Sequence, residues 1–337
     1  MKKKILVTGG AGFIGSCLIK YWLRQDPGIH IINADKLTYC GDLSRLKSVE
    51  RDTRYRFVKA DVTDRATMEK LLKDCEGVVH LAAETHVDRS LLEAKDFFQS
   101  NIYGTYTLLE AARSRKIKKF LYISTDEVYG SRAKGFFREN DRMNPSSPYA
   151  ISKTAADFLS LSYAMSHHLH TVVTRGSNTY GPYQYPEKVV PLFVSNALCD
   201  QPLPLYGDGK QVRNWLHAED HASGIVRAYE KGKAGEAYNI ATPDYQTNKE
   251  LTLAILNILG KDKSLIKNVT DRIGHDRRYA TSSKKLRALG WTPKYFFKSA
   301  FKDTVEWYRD NQDWWQAIKA KSKDFKSYYE KAYKGRQ

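Results

Sequence analysis

Tyr149 and Lys153 stand four apart in Tyr149-Ala150-Ile151-Ser152-Lys153, a spacing that puts both on one face of a helix. A phenol is normally too weak an acid to serve as a base near neutral pH. A nearby ammonium favours phenolate and lowers that pKa, so the pair could take a proton from a substrate hydroxyl. YxxxK also recurs by chance as a surface tyrosine with a solvated lysine, so its meaning rests on what surrounds it. A second group lies upstream, in Ser124-Thr125-Asp126-Glu127-Val128-Tyr129-Gly130. A hydroxyl and two adjacent carboxyls are costly to bury without a purpose. Close carboxyls push their pKa values apart, so one can act as acid while the other acts as base. The same run is equally a helix cap with acids in its first turn, and residue types alone leave both assignments open.

A glycine-rich turn gives these groups a context. Gly9-Gly10-Ala11-Gly12-Phe13-Ile14-Gly15 contains G-x-G-x-x-G at Gly10, Gly12 and Gly15. It joins an apolar run at 4–8 to a stretch, 13–25, with Ile14, Leu18, Ile19 and Trp22 at helical spacing. Between a strand and a helix, that pattern binds a dinucleotide pyrophosphate at the helix N-terminus. Asp35 ends the next strand-like run, 20 residues after Gly15. An acid there accepts the ribose hydroxyls of NAD and repels the extra phosphate of NADP, whereas Lys36 works against that preference. Asp61 and Val62 follow a third strand and could hold adenine. Leu81, Ala82 and Ala83 bring small side chains to the end of a fourth, where a dinucleotide could lie. With NAD in place, proton removal by Tyr149 can accompany hydride transfer.

The elements that must position these residues alternate. Runs at 4–8, 29–34, 56–60, 77–82, 119–124 and 171–175 read as strands, separated by helical patterns at 13–25, 64–74, 92–115 and 147–168. Alternation of this kind predicts an α/β fold, a Rossmann-type doubly wound parallel sheet. The C-terminal ends of its strands are the ligand-binding edge, where both candidate groups fall. Beyond about residue 180 prolines and glycines interrupt the pattern, with helices expected at 188–199, 218–231 and 248–259. This predicts a dinucleotide-binding part at 1–177 and a smaller C-terminal α/β lobe at 178–337 for the substrate, some segments returning to the sheet. The tail at 301–337 is expected to be helical and amphipathic, its last dozen residues fraying.

Composition excludes several classes. The 337-residue chain is long enough for a large core and has no apolar run of membrane-spanning length. Its four cysteines, Cys17, Cys40, Cys75 and Cys199, lack the clustering of a metal site or disulfide framework. Reduced thiols and a soluble, cytoplasmic protein are the expectation. The net charge of +17 comes from dispersed lysines and arginines without a nucleic-acid motif. It reads as a solvated surface with mild steering of anions, and nucleic-acid binding is not expected.

Taken jointly, these motifs resemble the extended short-chain dehydrogenases/reductases, and within them the branch that dehydrates dTDP-glucose. Further matching stretches are Leu81 through Ser90, Tyr180-Gly181-Pro182-Tyr183-Gln184, Arg213-Asn214-Trp215 and Gly274-His275-Asp276-Arg277-Arg278-Tyr279. The resemblance implies that Gly9, Gly12, Phe13, Ile14, Gly15, Asp35, Lys36, Leu37, Thr38, Asp61, Val62, Leu81, Ala82, Ala83, Thr85, Ser100, Tyr149, Lys153 and Thr179 hold a tightly bound, recycled NAD. It implies catalytic roles for Thr125, Asp126, Glu127, Tyr149 and Lys153, and a nucleotide-sugar substrate. That substrate would meet Thr85, Thr125, Asp126, Glu127, Asn178, Lys188, Val189, Arg213, Asn248, His275, Arg278 and Tyr279, with Pro204, Leu205 and Tyr206 flanking the base. Asp126-Glu127 points away from the related 4-epimerases, which carry small residues there. UDP-glucose dehydration, 4-epimerisation and a non-catalytic NAD-binding regulator are the alternatives. A homodimer through 92–115 and 147–168 is implied by the family alone. The chain departs from the family at Asn178-Thr179, where two asparagines are usual, and in its basic tail.

Overall fold

The first strand, β1 (Lys3–Thr8), carries Ile5, Leu6 and Val7 in succession, all fully buried. Such an unbroken apolar run fits a central parallel strand covered on both faces. It is followed by β2 (Ile29–Asp35), β3 (Tyr55–Lys59), β4 (Gly77–His80), β5 (Lys119–Thr125) and β6 (Thr171–Gly176). The C-terminal half supplies β7 (Asn178–Tyr180), β8 (Leu203–Tyr206), β9 (Val212–His217), β10 (Glu236–Ile240), β11 (Tyr245–Thr247) and β12 (Ile266–Val269). This computed structural model describes residues 3–272, 274–322, 325–327 and 329–330.

The main sheet has seven parallel strands in the order β10-β6-β5-β4-β1-β2-β3. The chain winds outward from β1 to β3, then returns to β4 and winds the other way. The crevice between β1 and β4 is therefore the switch point at which such sheets bind ligands. β10 was not among the strands expected from the sequence. It pairs with β6 from Glu236↔Val172 to Ile240↔Gly176, while the helix Ala218–Lys231 packs on Phe13–Gln25. The C-terminal half thus completes the sheet as well as building the smaller lobe, whose strands form two short sheets, β11-β9-β7 and β12-β8. Leu192, Phe193, Leu251, Ile255, Phe301 and Val305 form the lobe's core.

Two departures bear on the site. The helix expected at 92–115 is broken: Val87–Leu92 is separate, and Phe98–Tyr103 is π-helical before Gly104–Ser114. The extra residue of a π turn re-aims side chains. Here Asn101 donates to Ser152 Oγ (2.9 Å) and Glu84 O (3.0 Å) and accepts from Glu84 N. It ties the loop after β4 to the helix Pro148–His167, which carries Tyr149 and Lys153. The tail is helical at Phe297–Asp310 and Gln312–Lys321; of the last dozen residues, expected to fray, 326–327 and 329–330 are helical and the others lie outside the described residues. Among the described residues no helix is long and apolar enough to cross a membrane.

Beneath the site, Arg175 binds Asp157 through Nε and Nη2 (2.9 Å each), with both side chains buried. Its Nη1 reaches Tyr129 Oη (2.7 Å) and Glu139 O (2.8 Å), and Tyr129 donates to Asn239 Oδ1 (2.8 Å). One guanidinium thus links β6, the Tyr149 helix, the turn after β5 and β10. Replacing Arg175 by Met leaves Asp157 buried and unpaired, at a cost of about 3–5 kcal/mol. Denaturant melting should show that loss, with most of it recovered in the Arg175→Met/Asp157→Leu double variant. An unchanged midpoint in the single variant would contradict the role given to the pair.

Candidate active site

The ends of β1, β2, β4 and β5 open onto one cleft of about 330 Å³. Gly9, at φ 72°, allows the turn to leave β1 in a conformation other residues resist. A Cβ there would sit 2.6 Å from Ala82 N. Gly12 caps the helix Phe13–Gln25, and only Gly9 O lies near where its Cβ would be. The helix N-terminus is thus left open to an anion.

Asp35 accepts from Ala11 N (2.9 Å) and Leu37 N (2.8 Å). Burial raises its pKa from the usual carboxylate value, against the pull of those amides. Lys36 pairs with Asp61 at 2.7 Å, so the cation that argued against NAD is neutralised within the cleft wall. Of the residues expected to hold the cofactor, Leu37 is not on the cleft wall. It sits at φ 58° and acts through its amide on Asp35. The other expected cofactor residues line the cleft. Thr179 does so with its hydroxyl already engaged, donating to Ser177 O (3.1 Å) and sitting 2.8 Å from His221 Nδ1. Ser124 Oγ, Asp126 Oδ2, Ser177 Oγ and Asn178 Oδ1 are buried on the same wall with no hydrogen-bond partner. A dinucleotide and a polyhydroxylated substrate fit such a lining.

The two candidate catalytic groups converge here: Thr125, Asp126, Glu127, Tyr149 and Lys153 all line the cleft. The cap geometry and the burial of the acid pair are both present. Thr125 caps a 3₁₀ turn, Asp126–Tyr129, accepting from Glu127 N at 3.3 Å, and Asp126 is also 2 % exposed. Burial, then the neighbouring Glu127 charge, push Asp126 up to about 8. Burial raises Glu127 as well, but Arg272, Arg213 and Lys188 oppose it. The pair therefore favours one proton on Asp126 and one charge on Glu127 at neutral pH.

Tyr149 differs from expectation. Its phenol is raised well above the ordinary value, first by burial and then by Glu127, with a Thr125 hydrogen bond acting the other way. Lys153 donates instead to Ile123 O at 2.6 Å and lies 4.3 Å over the Tyr122 ring. Burial lowers that ammonium to about 7. Both groups are desolvated, so the protein alone keeps the phenol protonated.

Of the expected substrate residues, Thr85, Asn178, Lys188 and Val189 join the cleft wall, and Lys188 donates to Thr85 O (2.9 Å). Tyr279 donates to Asp276 Oδ2 (2.8 Å) and reaches Glu127 Oε2 (3.4 Å), under the Arg213 guanidinium 4.2 Å above its ring. Pro204, Leu205, Tyr206, Asn248, His275 and Arg278 lie off that wall. Leu205 buries its side chain in the lobe core. Arg278 donates to Arg132 O and Gly135 O. Sequence reasoning missed Arg272, which binds Asp88 at 2.9 Å and is the leading cation opposing the rise of Glu127. It stands two residues before Gly274, outside the Gly274–Tyr279 stretch. Asp88 also accepts from Tyr206 (2.9 Å), and Tyr206 packs against His275.

The family model for GDP-mannose 4,6 dehydratase matches residues 6–304, and the chain belongs to that family. Within it, the chain is 44% identical over 322 residues to the dTDP-glucose 4,6-dehydratase of Streptomyces niveus, covering 94% of this chain and 96% of that one. Among solved structures, the dTDP-glucose 4,6-dehydratase DesIV of Streptomyces venezuelae, with NAD bound, superposes with a TM-score of 0.92 at 43% identity, covering 94% and 99% of the two chains. A Bacillus cereus UDP-glucuronic acid 4-epimerase, in complex with UDP-glucuronic acid and NAD, gives 0.86 at 29%, covering 91% and 99%.

An acid whose folded pKa is raised to about 8 holds a proton that the unfolded chain releases near 4. Stability therefore falls as pH rises from about 4 to about 8. Asp126→Asn removes that dependence. Its melting temperature should exceed wild type by several degrees at about pH 8.5, with a smaller gap at about pH 5. A gap that is constant with pH would contradict a neutral Asp126.

Proposed function

We propose that this protein is a dTDP-glucose 4,6-dehydratase that uses NAD. The observation that carries the proposal is the buried pair Asp126-Glu127, unequal in its surroundings, in one cleft with Tyr149 and Thr125. Gly9, Gly12, Asp35 and the Lys36–Asp61 pair would hold the dinucleotide. When bound, NAD accepts hydrogen from C4 of the sugar as hydride and returns it to C6. Tyr149 takes the C4 hydroxyl proton, with Thr125 orienting that hydroxyl. The rise that burial imposes on the Tyr149 phenol would be opposed by the positive charge of an oxidised nicotinamide held in the same cleft. The C4 ketone then acidifies the C5 proton, which ionised Glu127 removes. Neutral Asp126 gives its proton to the departing C6 hydroxyl, and water leaves. C5 is reprotonated as the 4-keto-6-deoxy sugar nucleotide forms. An epimerase needs no such acid and base at C5 and C6. The dTDP base is supported by relatives of that activity at well above the identity of the UDP-sugar epimerase.

Incubation with dTDP-glucose should yield a 4-keto-6-deoxy product, detected by its absorbance in alkali, ahead of UDP-glucose. Glu127→Gln should lower kcat by about 10²–10⁴-fold while oxidation at C4 still proceeds. No product from either nucleotide sugar would sink the proposal.

The homodimer belongs to the same proposal. Ile151, Phe158 and Met165 are 48%, 54% and 82% exposed along Pro148–His167. Leu92, Phe98, Tyr103 and Tyr106 are exposed on the neighbouring 87–114 segment. Such an apolar patch marks a protein contact. Sedimentation should give a dimer for wild type and a monomer for Phe158→Glu, and a wild-type monomer would remove the dimer from the proposal. A cytoplasmic location is part of the same reading.

A further inference from the structure

Arg45 follows β2 and belongs to none of the motifs above, yet it is 2 % exposed. Its Nη1 donates to Ala11 O (3.0 Å) and Cys40 O (2.7 Å), and its Nε to Tyr183 O (3.0 Å). Ala11 lies within the glycine turn, and its own N–H is bound by Asp35. Ala11 O also accepts from Asp42 N at 3.0 Å. Both main-chain groups of the residue between Gly10 and Gly12 are therefore fixed, the N–H by the last residue of β2 and the carbonyl by the segment after it.

That segment is held in turn from the C-terminal helix Gln312–Lys321. Trp314 donates its indole N–H to Asp42 Oδ2 (3.0 Å), and its ring lies 5.5 Å from the Arg45 guanidinium. Tyr183 packs between Trp307 (4.4 Å) and Trp314 (5.4 Å). The same helix is anchored to the lobe by Lys319, which donates to Ser195 Oγ (3.0 Å) and Asn196 Oδ1 (2.8 Å). It therefore spans from the lobe to the cofactor corner. Arg45 and Cys40 line the main cleft, and Trp314 lines a second cavity that shares Tyr39, Cys40 and Gly41 with it.

We infer that Arg45 is a positioning residue for the glycine turn, and that the C-terminal helix, through Trp314, is a strap that slows release of the dinucleotide. A buried guanidinium with its donors on three carbonyls fixes their relative positions as a lysine ammonium cannot. Gly12, Asp35 and the 36–45 segment, through Lys36, Thr38, Tyr39, Cys40, Gly41 and Arg45, line the same cleft, so a dinucleotide held by Gly12 and Asp35 would have that segment as its wall. That segment is covered by the strap. The inference rests on NAD being the resident cofactor, as proposed above.

The test measures release of bound NAD from the full-length protein. Protein loaded with NAD is freed of excess, and the dinucleotide remaining per chain is followed with time. Arg45→Lys should release NAD about tenfold faster and Trp314→Phe about threefold faster, the scale of one or two weakened hydrogen bonds. The KM for the sugar nucleotide at saturating NAD should not move, which separates loss of the strap from general loosening of the site. Should Arg45→Lys fail to fold, Trp314→Phe and Asp42→Asn decide the matter. Release at the wild-type rate in the folded variants, or a sugar-nucleotide KM that rises in step with release, would overturn the inference. Wild-type protein that binds no NAD would overturn the proposed function as well, and so is distinguishable from failure of the strap alone.

Discussion

Two carboxyls side by side at the end of a buried strand cannot both be charged, and the rest of the site follows from that constraint. Burial penalises ionisation of both Asp126 and Glu127. The cations are placed unequally. Arg272, Arg213 and Lys188 act on Glu127, whereas Arg213 alone among them leads the opposition at Asp126. One proton then settles on Asp126 and one charge on Glu127, the division of labour an elimination needs. The three cations come from the C-terminal half and the two acids from the turn after β5. The fold thus has to bring its halves together before the acid and base are told apart.

The surrounding architecture holds that arrangement fixed. Thr125 caps the turn that carries the acids. Arg175 anchors the same turn through Tyr129, and Asn101 at the π turn locks the Tyr149 helix to the loop after β4. β10, reached only after the chain has built much of the lobe, closes the sheet beside β6. The C-terminal lobe and the main sheet are therefore one packed unit, and the helix Gln312–Lys321 continues that coupling to the segment after β2.

Much of this was legible in the residues. The unbroken apolar run of β1, the glycine spacing and Asp35 at the end of β2 each have a local physical meaning, and the structure places them as that meaning requires. Tyr149, Lys153, Asp126 and Glu127 meet in one cleft because alternating strands and helices bring strand ends to one edge. What escaped was non-local. β10 is a short strand whose partner, β6, lies far from it in the sequence. Arg272 and Arg45 look like ordinary surface cations until burial and partners are known. Spacing shows that Lys153 shares a face with Tyr149, whereas the dehydration of both groups shows only in the packed structure.

The central claim is that Asp126 carries the shared proton at neutral pH. Infrared difference spectra of the carboxyl C=O stretch, recorded from about pH 5 to about pH 10, test it directly. A neutral Asp126 predicts a protonated-carboxyl band that persists at pH 7, disappears on titration near 8 and is missing from Asp126→Asn. A band retained in Asp126→Asn but lost in Glu127→Gln would put the proton on the other acid and contradict the assignment.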